Sequence, residues 1–180
     1  MRIAFVAATA CLALAACGGP ETSQTDRGNT AAPAATASNM TMIAVQPLPR
    51  AQALKVMHER HEGMEAIGRH NRTLRRELTS GSPSVAAVRK AAGAIAKLSA
   101  SASGWFPLGT GPDVAKTGAK PEIWQNQRDF AAKLRNFQLA ARALNAAAAG
   151  NDLGAMKARF ADLGGACKAC HDKYRKEMKH

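Results

Sequence analysis

The residues of this chain best suited to chemistry are two cysteines and a histidine near its C-terminus. They occur as Cys167-Lys168-Ala169-Cys170-His171. Two thiols three residues apart lie on one face of a helix, so both reach one edge of a porphyrin and form thioethers with its vinyl groups. The adjacent imidazole then reaches the iron. The spacing therefore predicts one covalently attached haem c, with His171 as the proximal iron ligand.

Three other interpretations of the cysteine pair remain open. A redox disulfide of the thioredoxin type belongs beside a βαβ pattern, and we find no strand-like alternation. A closed zinc site needs four ligands, and the chain has no second C-x-x-C. A structural disulfide fits poorly within a regular helix. No pattern of a substrate-turnover site is found, so the sequence predicts a protein that is not an enzyme.

Four segments carry apolar side chains every three or four residues, which is typical of amphipathic helices. The first helix is predicted from about Arg50 to Gly81. Its inward stripe comprises Leu54, Met57, His61, Met64, Ile67, Gly68, Asn71, Leu74 and Leu78. The last helix carries the cysteine motif and is capped by Asn151 or Asp152. Its stripe comprises Leu153, Met156, Phe160, Leu163, Cys167, Cys170, His171, Tyr174 and Met178.

The second and third helices lie between these two. The second is predicted to begin with Ser82 as N-cap and Pro83 at the first position. A connection rich in Gly and Pro follows over residues 103–120. The third helix is predicted from Pro121 to Gly150. Four such helices predict an all-α protein, an antiparallel four-helix bundle with one covalently attached haem.

The N-terminal 49 residues differ in composition from the rest. Residues 1–16 have a charged start and a short apolar run, which predicts a signal peptide. The run ends in Leu14-Ala15-Ala16-Cys17, which resembles a lipobox, so we expect cleavage before Cys17 and lipidation of its thiol. Gly18 favours the outer membrane, while ordinary cleavage of a soluble protein is the alternative. Residues 17–49 are rich in Ala, Thr, Pro and Gly and predict a flexible linker.

The chain is strongly basic, with a formal net charge of +12. Nucleic acid is not the expected partner, because no groove-reading motif is present and the signal peptide predicts export. Steering toward an acidic redox partner or an anionic membrane surface is the preferred interpretation, and a solvated exterior remains open. Only 8 residues are aromatic, so a haem adds a large apolar body to a thin core.

Three stretches resemble the class II c-type cytochromes, the family of cytochrome c-prime and its low-spin relatives. They are 60–68 (RHEGMEAIG), 120–124 (KPEIW) and 167–175 (CKACHDKYR). The resemblance runs from about residue 50 to 178, so residues 50–180 are predicted to form the haem-binding bundle. It implies an exported, periplasmic monohaem cytochrome that transfers single electrons. The alternative is capture of nitric oxide or carbon monoxide at a vacant distal haem face, and a homodimer is also open.

The resemblance also implies roles for single residues. Arg60 matches a partner of a haem propionate, and Met64 matches the residue over the distal face of the iron. Whether Met64 ligates iron is left open, with His61 and His70 as rival ligands. Tyr174 is expected to pack on the haem, and Arg175 to lie beside the proximal His171. The aromatic residues expected to be core or loop anchors are Trp105, Phe106 and Trp124.

Overall fold

The structure is a computed structural model that describes residues 46–177. The predicted signal peptide, the lipidation site Cys17 and most of the predicted linker therefore lie outside the described residues. The helices are α1 (Arg50–Thr79), α2 (Val85–Ser101), α3 (Glu122–Gln125), α4 (Gln127–Ala149) and α5 (Leu153–Tyr174), with a 3₁₀ turn at Ala102–Gly104. None of these helices is long and apolar enough to cross a membrane.

The four long helices form the predicted antiparallel bundle. Short turns join α1 to α2 and α4 to α5, and each of these pairs packs closely. Helix α2 also packs on α4, whereas α5 makes few contacts with α1. The largest fully buried apolar side chains are Leu74, Ile95, Leu144, Met156, Leu163 and Val88, which come from all four helices. The bundle therefore has one main core, and α1 contacts α5 less extensively than α1 contacts α2, α2 contacts α4 or α4 contacts α5.

The buried face of α1 is rotated from the one predicted. Leu54 is 40% exposed and His61 is exposed, so neither belongs to the inward stripe. Arg60 and Gly63 are buried in their place. The reason is tertiary, since the segment that follows α2 lies against this side of α1 and brings Trp105 onto Gly63.

The predicted start of α2 was wrong by two residues. The N-cap is Ser84, whose Oγ accepts a hydrogen bond from the Ala87 amide at 3.2 Å. Ser82 and Pro83 both precede the helix. Ser84 is held in place by Glu77 of α1, whose carboxylate accepts from the Ser84 amide at 3.1 Å. The two competing caps look alike in sequence, and the contact with α1 selects the later one.

The predicted third helix is two helices. The short α3 ends at Asn126, whose backbone leaves the helical region at φ −119° and ψ 49°. The Asn126 side chain donates to the Glu122 carbonyl at 3.2 Å, which stabilises the break. Ile123 before the break and Phe130 after it are nevertheless both buried in one cluster, with Tyr174 of α5. The predicted end at Gly150 is confirmed.

Helix α5 begins as predicted and ends earlier than predicted. Asp152 is its N-cap and accepts from the Ala155 amide at 2.9 Å. The helix stops at Tyr174, and the predicted stripe residue Met178 lies outside the described residues. Arg175 is extended and pairs with Ala119 in an antiparallel bridge, so a strand-like contact with the loop before α3 replaces the last turn of helix.

Candidate functional site

The two cysteines of the motif lie side by side on α5 and are both free thiols. Each is half-buried, and they contact different parts of the core. Cys167 packs against the main core, and Cys170 packs against the smaller cluster around Phe130 and Tyr174. Burial raises the pKa of Cys167, and burial together with the charge of Cys167 raises the pKa of Cys170 to about 11.

These raised pKa values weigh against a thiol–disulfide enzyme. A reactive cysteine needs a stabilised thiolate and therefore a lowered pKa. The zinc interpretation also gains no support, because within residues 46–177 no three His, Cys, Asp or Glu side chains are placed to hold a metal ion. The two thiols on one helix face remain suited to attachment of a single flat group.

His171 follows the second cysteine, and its surface is largely open to solvent. Its pKa is nevertheless lowered, first because the surrounding protein partly desolvates the ring and second because of the nearby positive charge of Arg175. The negative charge of Asp172 opposes these two effects. The neutral imidazole is therefore favoured, which is the form that ligates a metal.

The surroundings of the motif fit a covalently attached haem. Gly164 lies one turn before Cys167 on the same helix face, and a Cβ built there meets nothing within 4 Å. Helix α1, which carries the half-buried Met64, makes few contacts with α5. A planar group held by the two thiols therefore has an unobstructed helix face beside it and an apolar core to lie against.

Arg60 is a buried cation, with 5% of its surface exposed. Its Nη1 donates to the Trp105 carbonyl at 3.1 Å and to Thr110 Oγ1 at 3.2 Å. Its Nη2 donates to the Thr110 carbonyl at 3.0 Å and to Thr117 Oγ1 at 3.2 Å. The guanidinium also lies 5.2 Å from the ring centroid of Phe106. Helix α1 is thereby tied to the loop before α3.

The charge of Arg60 has no acidic partner in the described part of the chain, where its acceptors are all neutral oxygens. Desolvation lowers its pKa to about 10. A buried guanidinium of this kind suits an incoming carboxylate, since charge-assisted bonds to an anion are stronger than those to neutral oxygens. The predicted contact with a haem propionate stays a prediction.

The same loop that Arg60 holds also holds the end of α5. Thr117 Oγ1 accepts from the Ala119 amide at 3.2 Å. The Lys120 amide then donates to the Tyr174 carbonyl at 2.9 Å. In the other direction, the Lys176 amide donates to the Gly118 carbonyl at 2.8 Å. One loop therefore links Arg60 on α1 to the residues just after His171.

The aromatic residues act as the anchors that the sequence predicted. Trp105 is buried, and Trp124 Nε1 donates to the Pro107 carbonyl at 2.9 Å. Phe106 contacts Phe130 edge-on at 4.7 Å between centroids. Phe130 in turn meets the ring of Tyr174 at 5.3 Å. Tyr174 is thus placed in an aromatic cluster next to Cys170, and its contact with haem stays a prediction.

Two surface cavities lie away from the cysteine motif. One of about 280 Å³ lies between the loop around Pro112 and Trp124. The other, of about 550 Å³, lies between α1 and the end of α2 and is lined by Gly63, Leu98 and Trp105, among others. Neither is lined by the two cysteines or by His171.

Sequence reasoning missed several residues of this site. Thr110 and Thr117 were part of an unassigned loop, and they supply three of the four oxygens that bind Arg60. Asp129 was not singled out, and it accepts from Tyr174. Gly63 was quoted only as part of a motif. A glycine three residues after Arg60, on the same helix face, was the available signal that another part of the chain approaches the backbone of α1 there.

A C-x-x-C-H motif on the last helix of an antiparallel four-helix bundle defines a class II c-type cytochrome. The family model described as Cytochrome C' matches residues 55–175. Cytochrome c' of Allochromatium vinosum is 38% identical over 119 residues, which cover 64% of this chain and 77% of that protein. Cytochrome c' of Alcaligenes xylosoxydans is 45% identical over 67 residues, covering 37% of this chain and only 53% of that relative.

A similar solved structure is the nitric oxide complex of a mutant cytochrome c prime from Alcaligenes xylosoxidans. It has a TM-score of 0.63 and 30% identity, and covers 74% of this chain and all (100%) of that one. The chain belongs to the cytochrome c' family. Members carry one covalently attached c-type haem, and the main sequence interpretation, a monohaem c-type cytochrome, is thereby confirmed.

Proposed function

We propose that this protein is an exported one-electron carrier with a single covalently attached haem. The observation that carries the proposal is the position of the motif, where half-buried Cys167 and Cys170 lie next to an exposed His171. A group held there lies close to the protein surface, where a redox partner can approach its edge. When bound, haem supplies an iron that cycles between the ferrous and ferric states and an axial position for a ligand.

Side chains of the bundle hold the haem and set its surroundings. Cys167 and Cys170 fix the group to α5, and the neutral imidazole of His171 provides a lone pair on the proximal side. Arg60 offers a desolvated positive charge to a propionate carboxylate. The apolar core excludes water from the face that Met64 covers, which raises the energetic effect of each nearby charge on the reduction potential.

Gas binding is the second candidate function. Met64 is half-buried, and its helix makes few contacts with α5, so the chain does not force a bond between its sulfur and a distal iron. A thioether is a soft, neutral ligand whose bond depends on close approach of the helix. The related mutant cytochrome c prime that was solved as a nitric oxide complex also supports gas binding. A vacant distal position would accept nitric oxide or carbon monoxide.

The optical spectrum of the purified ferrous protein, with and without carbon monoxide, tests both candidates. A broad high-spin spectrum that changes on adding carbon monoxide supports an open distal face and gas binding. Sharp, split low-spin bands that resist carbon monoxide favour a closed electron carrier. Acid–acetone extraction provides the check on attachment, since haem that is removed completely by this treatment would contradict thioether bonds to Cys167 and Cys170.

We also propose a periplasmic location with a lipid anchor on Cys17, in the outer membrane. The proposal rests on Leu14-Ala15-Ala16-Cys17 and on the apolar run before it. The net charge of +12 supports an acidic partner at the membrane or in the periplasm. Intact-mass measurement of the mature protein tests the anchor, and an N-terminus without acyl groups would contradict it.

A further inference from the structure

The indole of Trp105 occupies the place that a side chain at position 63 would take. A Cβ built at Gly63 overlaps Cη2 and Cζ2 of Trp105 and lies 3.0 Å from its Cζ3. Trp105 itself is 7% exposed. The ring therefore lies directly on the backbone of α1, and only glycine allows this approach without movement of the ring or the helix.

Trp105 is held in this position from both sides. Its amide donates to the Ala102 carbonyl at 3.2 Å, at the end of the 3₁₀ turn that follows α2. Its carbonyl accepts from Arg60 at 3.1 Å, one turn before Gly63 on α1. Backbone and ring of the same residue thus contact successive turns of α1. Because Trp105 is held by these three contacts, its indole fixes how closely α1 can approach the end of α2.

Met64 is the residue next to Gly63 and packs against the core cluster that contains Trp105. Helix α1 packs on α2 and on the 3₁₀ turn that follows it, and it makes a few contacts with α5. A change in the thickness of the Trp105 contact therefore shifts α1 relative to α2. The movement carries Met64 with it, relative to the haem helix.

We propose that Trp105 is a positioning residue that sets how far Met64 stands from the distal face of the iron. The inference rests on the proposed function, in which Met64 covers that face. The indole acts as a spacer of fixed thickness between α2 and α1. A thicker and a thinner contact shift Met64 in opposite directions relative to that face, and access for a diatomic gas changes in opposite directions with them.

The test compares Gly63→Ala with Gly68→Ala in the ferrous holoprotein. Both add one methyl group and the same gain in helix propensity to α1, but a Cβ at Gly68 meets only Arg72 Nη1 at 3.6 Å. Carbon monoxide association after flash photolysis is expected to change by about threefold to tenfold in Gly63→Ala and to stay within about twofold of wild type in Gly68→Ala. Adding Trp105→Leu to Gly63→Ala should restore the rate.

Trp105→Phe provides a second variant that removes bulk and introduces no overlap. It is expected to change carbon monoxide association by about threefold or more in the direction opposite to Gly63→Ala, or, if Met64 ligates the wild-type iron, to change the high-spin fraction in the optical spectrum. Rates and spectra unchanged in both Gly63→Ala and Trp105→Phe would overturn the proposal, as would changes in the association rate that have the same sign in the two variants. Absence of covalent haem from the wild type would instead contradict the proposed function.

Discussion

The carboxylate of Asp129 accepts a hydrogen bond from the phenol of Tyr174, with 2.6 Å between Oδ2 and Oη. The same oxygen accepts from Lys173 Nζ at 3.0 Å. Asp129 lies in the first turn of α4, and Tyr174 is the last residue of α5, three residues after His171. One carboxylate thereby fastens the end of the haem helix to its neighbour.

Replacing Asp129 by Asn should remove a pH-dependent part of the stability. The hydrogen bonds from Tyr174 and then Lys173 lower the pKa of Asp129 below its ordinary value of 3.8. A lowered carboxyl pKa stabilises the fold fully above the ordinary value, and this contribution is lost as the pH falls through the folded-state pKa. The difference in urea midpoint between wild type and Asp129→Asn should therefore be larger near neutral pH than in acid.

The matched control for Asp129 is Asp162→Asn, which removes a carboxylate from an exposed ion pair with Arg159 on α5. Exposed pairs contribute little, so its midpoint should stay close to that of the wild type at every pH. If the difference in urea midpoint between wild type and Asp129→Asn stays constant with pH, the carboxylate of Asp129 does not hold α5 through its charge.

Arg60→Lys should destabilise the bundle although it conserves the charge. An ammonium cannot reproduce the planar set of donors that reaches Trp105, Thr110 and Thr117, so buried carbonyl oxygens lose their partner. We expect a loss of about 2–3 kcal/mol in the free energy of unfolding, measured by urea denaturation with helical circular dichroism. Arg69→Lys on the exposed face of α1 is the control, and equal losses in the two variants would contradict the role of Arg60.

Met64→Leu should change ligand access without changing spin state, because leucine retains the bulk of methionine but has no sulfur. We expect the ferric and ferrous spectra to remain high-spin and the carbon monoxide association rate to change by about threefold or more. The measurement is an optical spectrum of each redox state, followed by flash photolysis. Conversion of a low-spin wild type into a high-spin variant would show instead that Met64 ligates the iron.

Cys167→Ser combined with Cys170→Ser should abolish covalent haem. The variant should also lose most of its helical structure, because a bound haem adds a large buried apolar body to a chain with only 8 aromatic residues. Denaturing gels stained for haem and circular dichroism measure the two effects. Cys17→Ser is the matched control, since it removes a thiol outside the bundle and should retain full haem content, while releasing the protein into the soluble periplasmic fraction.

Local patterns in the sequence were sufficient to predict most of the helices and the haem motif of this protein. The three-and-four spacing of apolar residues predicted the four long helices, Gly150 was identified as the end of α4, and Asp152 was one of the two candidate N-caps of α5. The haem motif is likewise a local feature, because two thiols three residues apart share a helix face whatever the rest of the chain does. The family resemblance rested on the same short stretches, and the match over residues 55–175 agrees with it.

The three-dimensional path of the loop before α3 decided which residues of α1 are buried and where α5 ends. Arg60 contacts partners 45 to 57 residues away in the chain, and no periodicity encodes a pairing over that distance. The loop covers α1, which buries Arg60 and Gly63 and leaves His61 exposed. It also pairs with Arg175 and ends α5 at Tyr174. Helix formation follows from neighbours along the chain, whereas these contacts depend on which surfaces the folded chain brings together.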